Sequence, residues 1–279
     1  MEKKKNDFIA QGSILAIASI LVRVMGMIYR IPMTAIIGDK GNGFYSYAYS
    51  VYTILLLLSS YSLPLAVSKM VSAKAQLGQW CNVKRVFICA IAFAIGIGTT
   101  FGLIVLIGAQ FFTRVFFHSE LAAIALRFMA PTILIMALLG VFRGFFQGLQ
   151  NTLPTAVSQI VEGLINAIMS VVFAYFCLIL VTEWMQQAVT TDLGYAWGAA
   201  GGAIGTGAGA LAGLIFCFIL FVAYRKILAV NISRDKTGTQ QEYGDIFRLM
   251  LSIALPVILS TALYNLIELV DGSLFNNIM

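Results

Sequence analysis

The chain has 279 residues, 60% of them hydrophobic and only 11% charged, with a mean hydropathy of +0.91. A soluble domain carries roughly 45–50% apolar and about 25% charged residues, so this composition cannot cover a soluble protein of the same length. Long apolar blocks without a heptad also exclude collagen-like, disordered and coiled-coil chains. The net charge is +6, and in an integral membrane protein its placement says more than its sum.

A transmembrane helix needs about 20 mostly apolar residues. Seven stretches reach that length: 8–37, 45–67, 87–112, 121–141, 155–181, 196–224 and 246–269. The first follows a basic start, MEKKKND, yet runs past Arg23 to about Ile37. That is too long for a secretory h-region of roughly 7–15 residues, so it reads as a retained span. Hydrocarbon satisfies no backbone polar group, so runs this long and apolar are helices and not barrel strands. Pro64, Pro131 and Pro256 fall inside spans two, four and seven, where each frees a carbonyl and permits a kink. The polar stretch 231–245 reads as a cytoplasmic linker between a six-helix unit, 1–230, and a seventh span in 246–279. That arrangement suggests a chain that stops one helix into a second lobe. "SIALPVILS" in span seven loosely echoes "SILAIASIL" in span one, hinting at an internal repeat.

Basic residues set the orientation. Alternate connections carry Lys3, Lys4, Lys5, then Lys69, Lys74, Lys84, Arg85, then Arg143, then Arg225, Lys226, Arg234, Lys236 and Arg248. The other set carries Lys40 and Arg114. Thirteen against two places the N-terminus in the cytoplasm.

Arg23, Arg30 and Arg127 remain within spans. An arginine at the helix centre costs about 2.5–3.5 kcal/mol on insertion scales, so it normally faces a bundle interior or a wet cavity. Arg30 follows Arg23 by about two turns on nearly the same face. Two such guanidiniums suit bidentate recognition of phosphate or carboxylate. The alternatives are an internal ion pair for Arg23 and snorkelling to the outer headgroups for Arg30. Glu162 and Asn166 share a face of span five. They read as a site of ion pairing or coupling, with an intramembrane arginine or Arg143 as partner. Arg127 reads as snorkelling outward near Glu120 or His118, and Glu268 and Asp271 as solvated at the outer end of span seven. The glycines of span six (198, 201, 202, 205, 207, 209, 213) give four small-xxx-small pairs, which read as close helix packing.

Cys81, Cys89, Cys177 and Cys217 lack CxxC spacing, and His118 is the sole histidine. The thiols read as small hydrophobes. No dinucleotide or P-loop fingerprint occurs, and no catalytic constellation stands out. The reading requires no cofactor, metal or nucleic-acid partner, and it is of a transporter rather than an enzyme.

"RVMGMIYR" (Arg23–Arg30), "SLPLAVSKMVSAK" (Ser62–Lys74) and "RGFFQGLQNTLPTAVSQIVEG" (Arg143–Gly163) together resemble one family along the whole chain. It is the polysaccharide-biosynthesis, stage V sporulation protein B-like branch of the multidrug/oligosaccharidyl-lipid/polysaccharide flippase superfamily, related to MurJ. The resemblance implies an all-α, two-lobed transporter of 14 helices. Such a protein flips undecaprenyl-pyrophosphate-linked sugars across the bacterial cytoplasmic membrane by alternating access. It also implies cavity arginines, which Arg23 matches and Arg30 matches with a one-residue displacement. A helix-two arginine of the MurJ-like pattern has no counterpart in span two, and a helix-eight arginine would fall beyond Met279. A related lipid-linked glycan therefore fits better than lipid II in particular. The implied partners are that glycan, the surrounding lipids and a C-terminal lobe. The alternatives are a cation-coupled drug exporter of the same superfamily and a non-transporting scaffold for cell-wall or sporulation enzymes.

Overall fold

A computed structural model describes the backbone of residues 2–184 and 192–278, and their side chains except at 2–11, 182, 184, 262 and 264–278. The readings on Lys3, Lys4, Lys5, Glu268 and Asp271 lie outside the described side chains. All regular structure among the described residues is helical: α1 (Glu2–Ser60), α2 (Leu63–Gln76), α3 (Trp80–Phe117), α4 (Ala122–Gly148), α5 (Leu153–Trp184), α6 (Asp192–Ser233) and α7 (Tyr243–Ile278). Among the described residues six helices are long and apolar enough to cross a membrane, the first being the α1–α2 stretch.

That first stretch supplies two passes. Gly38 leaves the helical region at φ 68°, ψ 177°, a conformation open to glycine and strained for a residue with a Cβ. The chain folds back there. Val22 and Arg23 of the first arm line the same cavity as Tyr49, Tyr52 and Leu56 of the second, which a straight helix rising about 1.5 Å per residue would hold tens of ångströms apart. The two arms thus correspond to spans one and two of the sequence. Span two is broken, not merely kinked: the helix stops at Ser60 and restarts at Leu63, with Pro64 in the first turn of α2. There the missing N–H costs nothing and the fixed φ suits helix initiation. Pro131 and Pro256 sit inside unbroken helices, and Pro32 lies in the first arm of α1, before the Gly38 bend.

Two apolar cores hold the bundle. One gathers Phe87, Phe142, Phe145 and Phe146 with Leu139, Ile246 and Met250; Phe221 stacks on Phe87 at 4.5 Å and meets Phe142 edge-on at 5.5 Å. The other gathers Met33, Ile37, Tyr45 and Tyr52 with Leu126, Met129 and Ile133. Helix α4 contributes to both. Along one of its faces Gly140, Gly144 and Gly148 admit α2: a Cβ at Gly144 would lie 2.6 Å from the Pro64 carbonyl oxygen, and one at Gly148 2.7 Å from the Val71 Cβ.

Span six packs as its glycines predicted. A Cβ at Gly201 would collide with the Phe173 carbonyl and one at Gly205 with the Ser170 backbone, while at Gly209 it would lie 2.6 Å from the Glu162 carbonyl oxygen. Small residues let two backbones approach where lipid supplies no hydrophobic drive. All four cysteines are free thiols, three of them buried.

At one end of the bundle Lys40, beside the Gly38 bend, meets Asp192 at the start of α6 (2.7 Å); the carboxylate raises the lysine above its usual range by hydrogen bond and charge. At the other end the 234–242 connection is docked on the start of α3. The Cys81 N–H donates to Asp235 Oδ2 (2.9 Å), the buried Asn82 bonds the Thr239 carbonyl and the Gln241 N–H (3.0 Å each), and Arg85 donates to the Gln241 carbonyl (2.6 Å) while lying over the Tyr243 ring. Asp235 thereby satisfies a backbone donor that the first turn of α3 leaves unpaired.

Candidate functional site

The site is built where the two arms of α1, α4, α5 and α6 converge. In the first arm Arg23 and Arg30 fall about two turns apart on one face, and both line a cavity of about 610 Å³. The second arm adds Tyr49 and Tyr52, and the first adds Tyr29. Helix α5 adds Glu162, Gly163 and Asn166, and α6 adds Thr206. All four residues singled out in the sequence, Arg23, Arg30, Glu162 and Asn166, therefore line one chamber. A Cβ at Gly163 would sit 3.2 Å from Val22 and Met25, so that glycine lets α5 approach the arginine-bearing arm.

The charges in this chamber are unequal in kind. Glu162 Oε2 accepts from Arg143 Nη2 at 2.7 Å, and Arg143 Nε donates to Ser158 Oγ at 2.8 Å. The side chains are 11% exposed for Arg143 and 24% for Glu162. Charge-assisted bonds this short are the strong ones, and the carboxylate is neutralised where it stands. Arg23 and Arg30 are exposed on the chamber wall and make no ion pair among the described residues. Among the described residues the chamber therefore presents two guanidiniums without a counter-ion.

Of the two partners the sequence offers Glu162, the structure selects Arg143. Helix α4 runs on to Gly148, so Arg143 lies on it and spends its charge inside the bundle, as the partner that Glu162 required. The most specific motif becomes legible as a clasp between α4 and α5. Its first half supplies Arg143 and Gln147; its second supplies Thr155, Ser158 and Glu162. Gln147 Nε2 lies 3.4 Å from Thr155 Oγ1, and Thr155 Oγ1 lies 3.5 Å from the Arg143 carbonyl. Gly144 and Gly148 of its first half serve the α2 contact on the neighbouring face.

Asn166 is held by Ser170, whose hydroxyl lies 2.7 Å from Asn166 Oδ1 and 3.1 Å from the Gly202 carbonyl. Tyr45 and Thr206 share a 3.2 Å hydrogen bond behind the wall. Sequence reasoning missed the tyrosines. Their signal was present: Tyr45, Tyr49 and Tyr52 recur at i, i+4 and i+7, and the rings follow one another at 5.9 and 6.0 Å. They occupy the arm in which the MurJ-like pattern has its helix-two arginine. Arg127 is exposed, and Glu120 pairs instead with Arg114 at 3.7 Å. Among the described residues no group of three His, Cys, Asp or Glu side chains could hold a metal.

A sequence model of the family described as "Polysaccharide biosynthesis protein" matches residues 8–279. The lipid II flippase MurJ of Bacillus subtilis (strain 168) is 25% identical over 277 residues, covering 95% of this chain and 48% of that protein. Stage V sporulation protein B of the same organism is 26% identical over 265 residues, covering 94% of this chain and 48% of its own length. A solved MOP superfamily transporter from Pyrococcus furiosus superposes with a TM-score of 0.58 at 15% identity, over 89% of this chain and 51% of that one; this likeness shows a shared fold. The chain spans about half the length of the curated relatives it matches.

Proposed function

The chain belongs to the polysaccharide biosynthesis protein family, and on that premise we propose that it forms one lobe of a flippase for a prenyl-diphosphate-linked glycan. Residues 1–230 form the lobe, 231–245 the linker and 246–279 the first helix of a second lobe. The lobes alternate about a shared cavity, the N-terminus lies in the cytoplasm, and the prenyl tail stays in lipid. No covalent step is involved. Arg23 and Arg30 hold the diphosphate while it crosses, replacing water that hydrocarbon cannot supply.

One observation carries the reading. Among the described residues, two guanidiniums without counter-ions line the cavity, and its single lining carboxylate is already neutralised by Arg143. A dianionic diphosphate matches that surplus in sign and amount. A cation exporter would need the opposite polarity, so the exporter alternative is disfavoured.

The test is translocation of a labelled undecaprenyl-diphosphate-linked saccharide in liposomes holding the full-length protein. Arg23→Ala and Arg30→Ala should each slow it roughly 10- to 100-fold, the scale of a lost charge-assisted contact. Unchanged translocation at equal protein level would overturn the proposal.

A further inference from the structure

Next to the arginine chamber lies a second cavity of about 610 Å³. Leu56 and Met136 line both, so the two are neighbouring compartments of one cleft with an apolar waist. The volume is ordinary for a small-ligand site, for which roughly 300–1,000 Å³ is usual.

The chemistry of this compartment differs from that of its neighbour. Its only charged lining residue is Arg143, whose charge is spent on Glu162. The rest of its polar lining is neutral: Thr53, Ser60, Gln147, Thr155, Gln159 and the hydroxyl of Tyr61. Among the described residues Gln147 and Gln159 make only long side-chain hydrogen bonds, 3.4 Å to Thr155 and 3.5 Å to Ser19, so both amides retain donors and acceptors for a ligand. Tyr61 is 62% exposed and offers an aromatic face at the helix break. Neutral amides and hydroxyls that both donate and accept, beside one aromatic ring, match a polyhydroxylated ring with polar edges and an apolar C–H face. They do not match a second anion, which would find no unspent cation, or a hydrocarbon tail, which would strand the amides.

We propose that this amide-lined compartment is the glycan subsite: it receives the first sugar of a ligand whose diphosphate rests on Arg23 and Arg30. This rests on the reading of the arginine chamber as a diphosphate site and adds to it the placement and chemistry of the attached group. Gln147 and Gln159 bind sugar hydroxyls or an N-acetyl group, and Tyr61 packs on the ring. The Arg143–Glu162 pair lies in the wall shared by the two compartments and keeps the sugar side neutral.

Binding to the purified 279-residue chain in detergent tests this with two probes, geranyl diphosphate and the same ester carrying N-acetylglucosamine. The wild-type chain should bind the sugar ester more tightly than the bare diphosphate. Gln147→Leu with Gln159→Leu should weaken the sugar ester about tenfold, the scale of two lost hydrogen bonds, while leaving geranyl diphosphate unchanged. That unchanged affinity also reports an intact fold, and Gln159→Leu alone should show a smaller loss in the same sense. A wild-type chain that does not distinguish the probes, or amide variants that keep the full preference, would overturn the subsite. Failure of Arg23→Ala with Arg30→Ala to weaken either probe would instead remove the diphosphate reading beneath it.

Discussion

With methionine in place of Arg143, Glu162 would keep its charge in a wall that no longer holds its counter-ion. Breaking a buried pair by removing one partner is destabilising by roughly 3–5 kcal/mol, and the 24% exposure of Glu162 places this case at the lower end. Arg143→Met should therefore lower the midpoint of thermal unfolding in detergent, and Arg143→Met with Glu162→Gln should recover most of the loss. If the double variant is as unstable as the single one, the pair is not what stabilises this wall. At this scale the sequence was informative in an uneven way. Arg23, Arg30, Glu162 and Asn166 stand out because a charge or amide in an apolar run needs a physical reason. Arg143 follows the end of an apolar window and is one of two partners offered for Glu162; hydropathy alone cannot choose between them. Tyr49, Tyr52, Gln147 and Gln159 gave no such alarm, because tyrosine and glutamine are tolerated in many surroundings.

Helix against helix, the glycines of α6 decide how near Glu162 and Asn166 come to the other wall. A Cβ at Gly209 would lie 2.6 Å from the Glu162 carbonyl oxygen and 2.7 Å from the Asn166 Cβ, neither of which is the free end of a flexible chain. Gly209→Ala should thus force α5 and α6 apart and lower thermal stability. Gly96→Ala, with nothing within 4 Å, should raise it by about 0.5–1 kcal/mol through helix propensity alone. Equal effects at the two positions would contradict packing as the role of Gly209. The 234–242 strap behaves as an element too. Asp235 is held down to about 2 by the Thr237 hydroxyl, the Cys81 N–H and the Thr237 N–H. A carboxylate with a depressed folded pKa contributes stability above its unfolded value, here 3.8, and loses it as pH falls toward 2. Maleimide labelling of Cys81, corrected for thiolate fraction, should therefore stay constant from neutral to mildly acidic pH and rise in Asp235→Ala. Equal labelling of the two proteins would show that the strap does not depend on this contact. Composition marks the strap as polar, but its docking on α3 depends on Asn82 and Arg85, some 150 residues away in sequence, and no local pattern reveals it. The small-xxx-small spacing of α6, by contrast, is a one-helix signal and was readable directly.

Across the whole molecule, α6 joins the two ends of the bundle in one helix of 42 residues, about 63 Å at 1.5 Å per residue and well beyond the roughly 30 Å of hydrocarbon. Its start carries the Asp192–Lys40 contact, and just past its end lies the Asp235–Cys81 contact, so Lys40 and Cys81 lie at opposite ends of the bundle. The passes follow from hydropathy because each is a long apolar run, and their alternation follows from the basic residues at their ends. The reversal at Gly38 follows as well, since the polar run Gly38–Gly43 separates spans one and two; the break at 61–62 does not, since it lies inside the apolar window of span two. Even without Arg143, the basic residues gather at the strap end, with Lys84, Arg85, Arg234 and Lys236 beside the docked connection, while Lys40 and Arg114 lie at the other. By the positive-inside rule, the orientation we propose has the strap in the cytoplasm. In intact cells, a membrane-impermeant maleimide should label Lys40→Cys in a Cys81→Ser background. In the otherwise wild-type chain, it should reach Cys81 only after the membrane is permeabilised. The buried Cys89, Cys177 and Cys217 keep the background low. Labelling of Cys81 in intact cells, with Lys40→Cys protected, would invert the orientation and place the amide compartment, which lies toward the strap end, on the far side of the membrane from the pool of glycan precursor.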